Sequence, residues 1–228
     1  MAFRDDVRRI RAIVWKDLTT ERRSKAGFSA VAALGVTILV LFGLALGPDG
    51  KALQSAAAGA LWLAILFASV LAFNRSYQVE LDGGALEALL LYPGSRWAIF
   101  AGKLIANLLF VLAMLVIVVA VGIVLFAVRV PAEWAALLGI MMLGVVGIVS
   151  LGTFYAAMSS RSRAREVLLP LLLYPMLIPV LLASMEATKA FLLGDLLNAS
   201  GAWVQMLSLF DVIFLVATFL GFEYVIEV

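Results

Sequence analysis

Long apolar runs separated by short polar breaks dominate the chain. Residues 28–46 hold nineteen positions without a charge, and Gly47-Pro48-Asp49-Gly50-Lys51 ends them. At about 1.5 Å per residue this run reaches about 28 Å, close to the roughly 30 Å hydrocarbon core of a bilayer. A second run covers 52–73. A polar segment, 74–103, follows, and then come runs at 104–128, 134–158 and 167–184. The last run, 203–226, is interrupted by Asp211 and Glu223. The runs are continuous rather than alternating, which predicts helices and not barrel strands. The expected fold is an all-α membrane protein with six transmembrane helices.

Residues 1–27 differ in kind. Phe3, Val7, Ile10, Val14 and Leu18 recur at three- and four-residue steps, with Arg4, Asp5, Arg8 and Arg11 off that stripe. This pattern predicts an N-terminal amphipathic helix lying in the membrane interface, apolar face in lipid and arginines toward anionic head groups. A solvated basic tail that only fixes topology is the alternative. The charged stretch and the apolar run behind it are both too long for a cleavable signal. Six crossings put both termini, 74–103 and 159–166 on one side. Of the 17 Lys and Arg residues only Lys51, Arg129 and Lys189 fall on the other. The positive-inside rule then places both termini in the cytoplasm.

Composition narrows the function classes. The chain has 228 residues, 64% hydrophobic and 14% charged, which excludes a water-soluble globule. It has no Cys and no His, which removes disulfides, thiolate chemistry, Zn sites and imidazole-ligated haem. Gly102-Lys103 is followed by Leu and lacks the spacing of a phosphate-binding loop, so no nucleotide is bound by that route. No group of acids and bases suggests hydrolysis, and the expectation is a protein that is not an enzyme and has no nucleic-acid partner.

The polar segment 74–103 is the most informative. Gly83-Gly84 opens it, 85–92 has helix-forming residues throughout, and Pro93-Gly94 stops that helix. Ser95 is placed to cap the next helix, which runs through Lys103 into the third span. A short half-apolar helix of this kind is suited to insert into another protein, with Leu86, Leu89 and Leu90 as its buried face and Glu87 as a charged contact. A re-entrant or interfacial connector is the alternative.

Glu80, Gly84, Leu86, Glu87, Leu89 and Pro93, followed by Gly102-Lys103 entering a span, resemble the coupling segment of ABC-2-type permeases. The elbow helix, six spans and coupling helix between spans two and three match that layout. Within the superfamily the chain is most similar to the haem exporter B family, the permease subunits of cytochrome c maturation. That narrower likeness rests on Trp15-Lys16-Asp17-Leu18, on the overall length, and on residues 157–183. Asn74 departs from it, because the family often has an acid just before the position of Arg75.

The resemblance implies an inner-membrane subunit that docks an ATP-binding cassette partner on 85–92, with ATP bound by that partner. It further implies a haem-handling membrane subunit, a small single-span subunit, a periplasmic haem chaperone and a homodimer within the complex. Haem would be the handled ligand. With only Met and Tyr as weak axial ligands, this chain is not expected to be its main holder. A permease for lipid, drug or glycan, and a scaffold that only tethers the ATPase, are the rival readings.

Three further features carry expectations. Pro170, Pro175 and Pro179 each remove a backbone hydrogen bond from the fifth span, giving either a static kink or a flexing element. Asp211 stands alone in the sixth span, where it faces the bundle or lies nearer the surface. Ala56, Ala60, Ala64, Ala68 and Ala72 recur every fourth residue of span two. Small residues let backbones approach in lipid, so this ridge is expected against span one or span five.

Overall fold

The computed structural model describes residues 2–23, 25–82, 95–128, 134–160, 165–194 and 199–227. Every regular element among them is an α-helix. In chain order these are α1 (Ala2–Arg23), α2 (Lys25–Leu46), α3 (Gly50–Asp82), α4 (Arg96–Leu125), α5 (Trp134–Ser159), α6 (Arg165–Leu192) and α7 (Ala199–Glu227). Six of them, α2 to α7, are long and apolar enough to cross a bilayer. Helices are the expected outcome, because a bilayer core offers no water to satisfy backbone groups and a helix pairs them internally.

Local chemistry sets the helix ends. Gly47 takes a left-handed φ of 66° and its N–H bonds to the Leu44 carbonyl, closing α2. Pro48 cannot continue the helix, and the Asp49 side chain accepts a 3.0 Å bond from the Lys51 N–H to open α3. Gly194, at φ 84°, does for α6 what Gly47 does for α2. At 33 residues α3 is about 50 Å long, well over a hydrocarbon core, so it continues past Phe73, where its apolar run stops, to Asp82. α4 likewise begins at Arg96, before the apolar run at 104.

Two helices sit at the centre. α3 packs against α2, α4, α5 and α6, and α5 packs against α3, α4, α6 and α7. Trp62 and Phe73 of α3 are fully buried. Their rings press on Gly144 and Gly152 of α5, which a Cβ at either position would displace. The alanine ridge is inside the bundle: Ala60, Ala64 and Ala68 are at most 1% exposed. It meets span one, since a Cβ on Gly35 of α2 would stand 3.8 Å from the Ala64 carbonyl and 3.9 Å from the Ala68 Cβ.

α1 rests on α4 and touches α2. The side it turns to the bundle is not the apolar stripe. Asp6, Arg9 and Ile13 are buried, whereas Val7 and Trp15 stay exposed. Arg9 thus departs from the expectation that the arginines face head groups, and the reason is a set of polar partners at the end of α4.

Candidate functional site

The basic residues gather at one end of the bundle, called here the basic end, where α1 crosses the ends of α3 and α4. Ser95 occupies the N-cap position of α4, with φ −71° and ψ 142°, but its hydroxyl does not cap that helix. It donates instead to Asp6 Oδ1 at 2.5 Å, and the Ser95 N–H donates to the same oxygen at 3.1 Å. Arg9 returns the contact through a 3.3 Å bond to the Ser95 carbonyl. One acid on α1 therefore holds the first residue before α4, 89 positions away in sequence.

Two turns further along α4, Lys103 is 1% exposed. Its ammonium pairs with Asp17 Oδ2 at 3.0 Å, donates to the Ser76 carbonyl at 3.1 Å and stands 5.1 Å from the centre of the Tyr77 ring. This single cation ties α1, α3 and α4 together. Ile13 of α1 packs on Gly102 beside it, where any Cβ would intrude. Lys16 gives Asp17 a second partner at 3.2 Å. A third contact lies at the end of α1, where the Arg75 guanidinium faces Glu21 and rests on the backbone of Gly27. Burial pushes the Glu21 carboxyl above its usual range, Arg75 draws it partly back, and Asp17 adds to the rise. These groups border a cavity of about 150 Å³ that Asn107 and Phe110 of α4 also line.

Of the residues anticipated for partner coupling, Lys103 is thus a structural knot. Glu80 lies on the α3 backbone, but its side chain lies outside the described residues. Gly84, Leu86, Glu87, Leu89, Leu90 and Pro93 also lie outside them. What is described are the two helix ends that flank this segment, and Lys103 joins them through Ser76.

The intramembrane candidates fall elsewhere. Pro170, Pro175 and Pro179 all lie within the one helix α6. Asp211 is 4% exposed, and its carboxylate lies against Gly147 of α5, where a Cβ would also meet the Val180 side chain of α6. Asp211 and Val180, the residue after Pro179, both approach Gly147, and no hydrogen bond or ion pair joins Asp211 to the basic-end cluster among the described residues. Sequence reasoning passed over Asp6, Asp17 and Glu21. Their signal was available: each stands three residues after a stripe position, Phe3, Val14 and Leu18 in turn, so they recur at helical spacing along the edge of that stripe, and Lys103 needed an acid.

Comparison with known proteins gives the family. The chain is 29% identical to the heme exporter protein B of Rhodobacter capsulatus over 181 residues, covering 79% of this chain and 82% of that one. It is 30% identical to the heme exporter protein B of Pseudomonas aeruginosa over 173 residues, 75% and 76% of the two chains. With the protein of that name from Escherichia coli it shares 36% identity over 70 residues, about a third of either chain. The family model described as CcmB protein matches residues 8–225, nearly the whole length from the elbow helix through the sixth span, and the chain belongs to that family.

Proposed function

We propose that this chain is the membrane permease subunit of an ABC-type haem exporter serving cytochrome c biogenesis, and that it is driven through residues 83–94. The observation that carries the coupling part of this reading is the Lys103 junction. α3 and α4 enter and leave the segment, and their ends are tied to each other and to α1 by one buried cation. A push on the segment then moves three helices together rather than bending one loop. The basic end faces the cytoplasm, where an ATP-binding cassette partner would lie. Haem is the handled ligand and not a resident group, in keeping with a chain that has no His or Cys. A haem-handling membrane subunit, a single-span subunit, a periplasmic haem chaperone and a second copy of the chain complete the assembly.

The test is retention of the partner. Leu86→Asp with Leu89→Asp places two unpaired charges in the apolar face of the dock, and truncating or charging such a centre costs several kcal/mol of association. The doubly substituted chain should purify without stoichiometric ATPase subunit while keeping its own folded profile. Full retention of the ATPase would place the dock elsewhere.

A further inference from the structure

Asp211 is an isolated acid in an apolar helix, and its surroundings are unusual. It stands midway along the apolar stretch Ser200–Phe222, and its neighbours Gly147 and Val180 stand midway along theirs. It is 4% exposed, and neither carboxylate oxygen has a hydrogen-bond partner among the described residues. No charged side chain among them acts on it. The helices packed on α7 are α4, α5 and α6. Their ionisable groups are Arg96 and Lys103 on α4, Tyr155 on α5, and Arg165, Glu166, Tyr174, Glu186 and Lys189 on α6. Each lies several residues or more from the midpoint of its helix, whereas a Cβ on Gly147 would meet the acid's Oδ1 at 2.6 Å and the Val180 side chain at 2.8 Å. An ionised carboxylate there would be unpaired at the bilayer centre, so the neutral acid is the form this packing accommodates.

Buried polar groups lead away from it in both directions. Toward the basic end, Ser150 Oγ donates to the Gly147 carbonyl at 3.0 Å. One turn on, Thr153 accepts from Asn107 Nδ2 at 3.0 Å. Asn107 borders the 150 Å³ cavity beside Asp17 and Arg75. Toward the other end, the hydroxyl of Ser184 is fully buried, has no partner among the described residues, and lies at Gly144, one turn from Gly147. One turn beyond Ser184, Thr188 accepts from Trp62 Nε1 at 3.0 Å. Ala58, a turn from Trp62, lines a second cavity of about 160 Å³ with Gln54 and Lys189.

We infer that Asp211 is an intramembrane proton-binding site, and that this file of hydroxyl, amide and indole groups connects it to the two ends of the bundle. A purely structural acid would be expected to use its oxygens, since an unmet buried polar group destabilises the fold. Asp211 uses neither, while hydroxyls stand one turn away on both sides. The site binds a proton and releases it unchanged, so no oxidant or co-reactant enters.

The test is the reaction of the full chain, reconstituted in lipid vesicles, with the membrane-soluble reagent dicyclohexylcarbodiimide. A protonated carboxyl adds its oxygen to the carbodiimide carbon and its proton to nitrogen, and an acyl shift leaves a stable N-acylurea that peptide mass spectrometry locates. Labelling is followed between about pH 5 and about pH 8, the window in which folded proteins are generally most stable. The yield is corrected for the reagent's own decay. The expected result is an adduct on Asp211 whose yield falls as pH rises. No adduct, or a yield that does not change with pH, overturns the proposal, the latter by making the acid a permanent structural one. Asn107→Leu with Thr153→Val removes one arm of the file. It should slow the response to a pH jump at least tenfold, equivalent to about 1.4 kcal/mol of added barrier, and an unchanged response overturns the file. Neither haem nor a partner subunit is needed, so failure here and failure of the proposed function are separable.

Discussion

Replacing Lys103 and Asp17 singly and together tests whether the basic-end junction is one cooperative unit. Removing one member of a buried pair typically costs about 3–5 kcal/mol, because the other is left as an uncompensated charge. The two members here are not equivalent. Asp17 keeps 17% of its side chain exposed and retains Lys16 at 3.2 Å, so Lys103→Met leaves an acid that still has a partner. It also leaves the Ser76 carbonyl without its donor, and the combined loss should be about 1–3 kcal/mol. Asp17→Leu takes the Asp17 carboxylate away from an ammonium that is 1% exposed, and the Ser76 carbonyl and the Tyr77 ring, which it keeps, are weaker contacts. That loss should approach the upper figure of about 5 kcal/mol. The double replacement removes both charges and should recover most of the loss, since apolar side chains in place of a buried pair are often neutral. Unfolding of the four proteins in lipid bicelles, followed by tryptophan fluorescence, gives the cycle. If the single losses add to the double within about 0.5 kcal/mol, the pair is not coupled and the reasoning fails. If Lys103→Met is the more damaging change, the exposure argument fails.

Other changes probe packing and titration. Ala64→Leu adds three carbons to a fully buried point on the ridge facing α2, and overpacking should cost about 1–3 kcal/mol. A lower unfolding midpoint is expected, and an unchanged one would mean that α2 yields freely. Burial raises the Glu21 carboxyl above its ordinary value of 4.5, so the folded chain binds more protons there than the unfolded chain does. The stability that the neutral form contributes is present below pH 4.5 and is lost as pH rises through the raised folded value. Glu21→Gln should therefore be more stable than the parent at neutral pH, with the difference fading in acid. A parent that is the more stable at neutral pH would mean that attraction to Arg75 outweighs burial.

The membrane fold was legible because its rule is one-dimensional. About twenty apolar residues between polar breaks suffice, and Gly47-Pro48-Asp49 announces a helix end and a helix start from chemistry local to three residues. Helix lengths were less legible, since α3 continues to Asp82 after hydropathy has stopped signalling, through a polar stretch of mixed helix propensity that holds no Gly or Pro. Partners were least legible. The acid that meets Lys103 is 86 positions away, on a helix whose periodicity points first to its apolar face. Ser95 has the residue type and backbone of an N-cap, yet the nearby Asp6 carboxylate takes its hydroxyl. At Ser95 a charged acceptor from another helix outcompetes the local neutral bond, being roughly twice as strong. Asp211 could be flagged from its isolation, but Gly147, which gives it room, looks like any other small residue in a membrane helix.

Helix α4 carries one residue of each proposed device. Lys103 and Asn107 are one turn apart on it: the first holds α1 and α3, and the second holds Thr153 of α5. The Asn107–Thr153 bond is 3.0 Å long, and hydrogen bonds weaken steeply beyond about 3.2 Å. A slide of α4 along α5 by a single residue, about 1.5 Å, is enough to break it. Force applied to α4 at the basic end therefore reaches the polar file at its first member, before any side chain near Asp211 has to move. If Asp211 takes a proton and residues 85–92 dock the ATPase, as proposed, α4 links the two, and the Asn107–Thr153 bond makes or breaks that link within a displacement smaller than a helical turn.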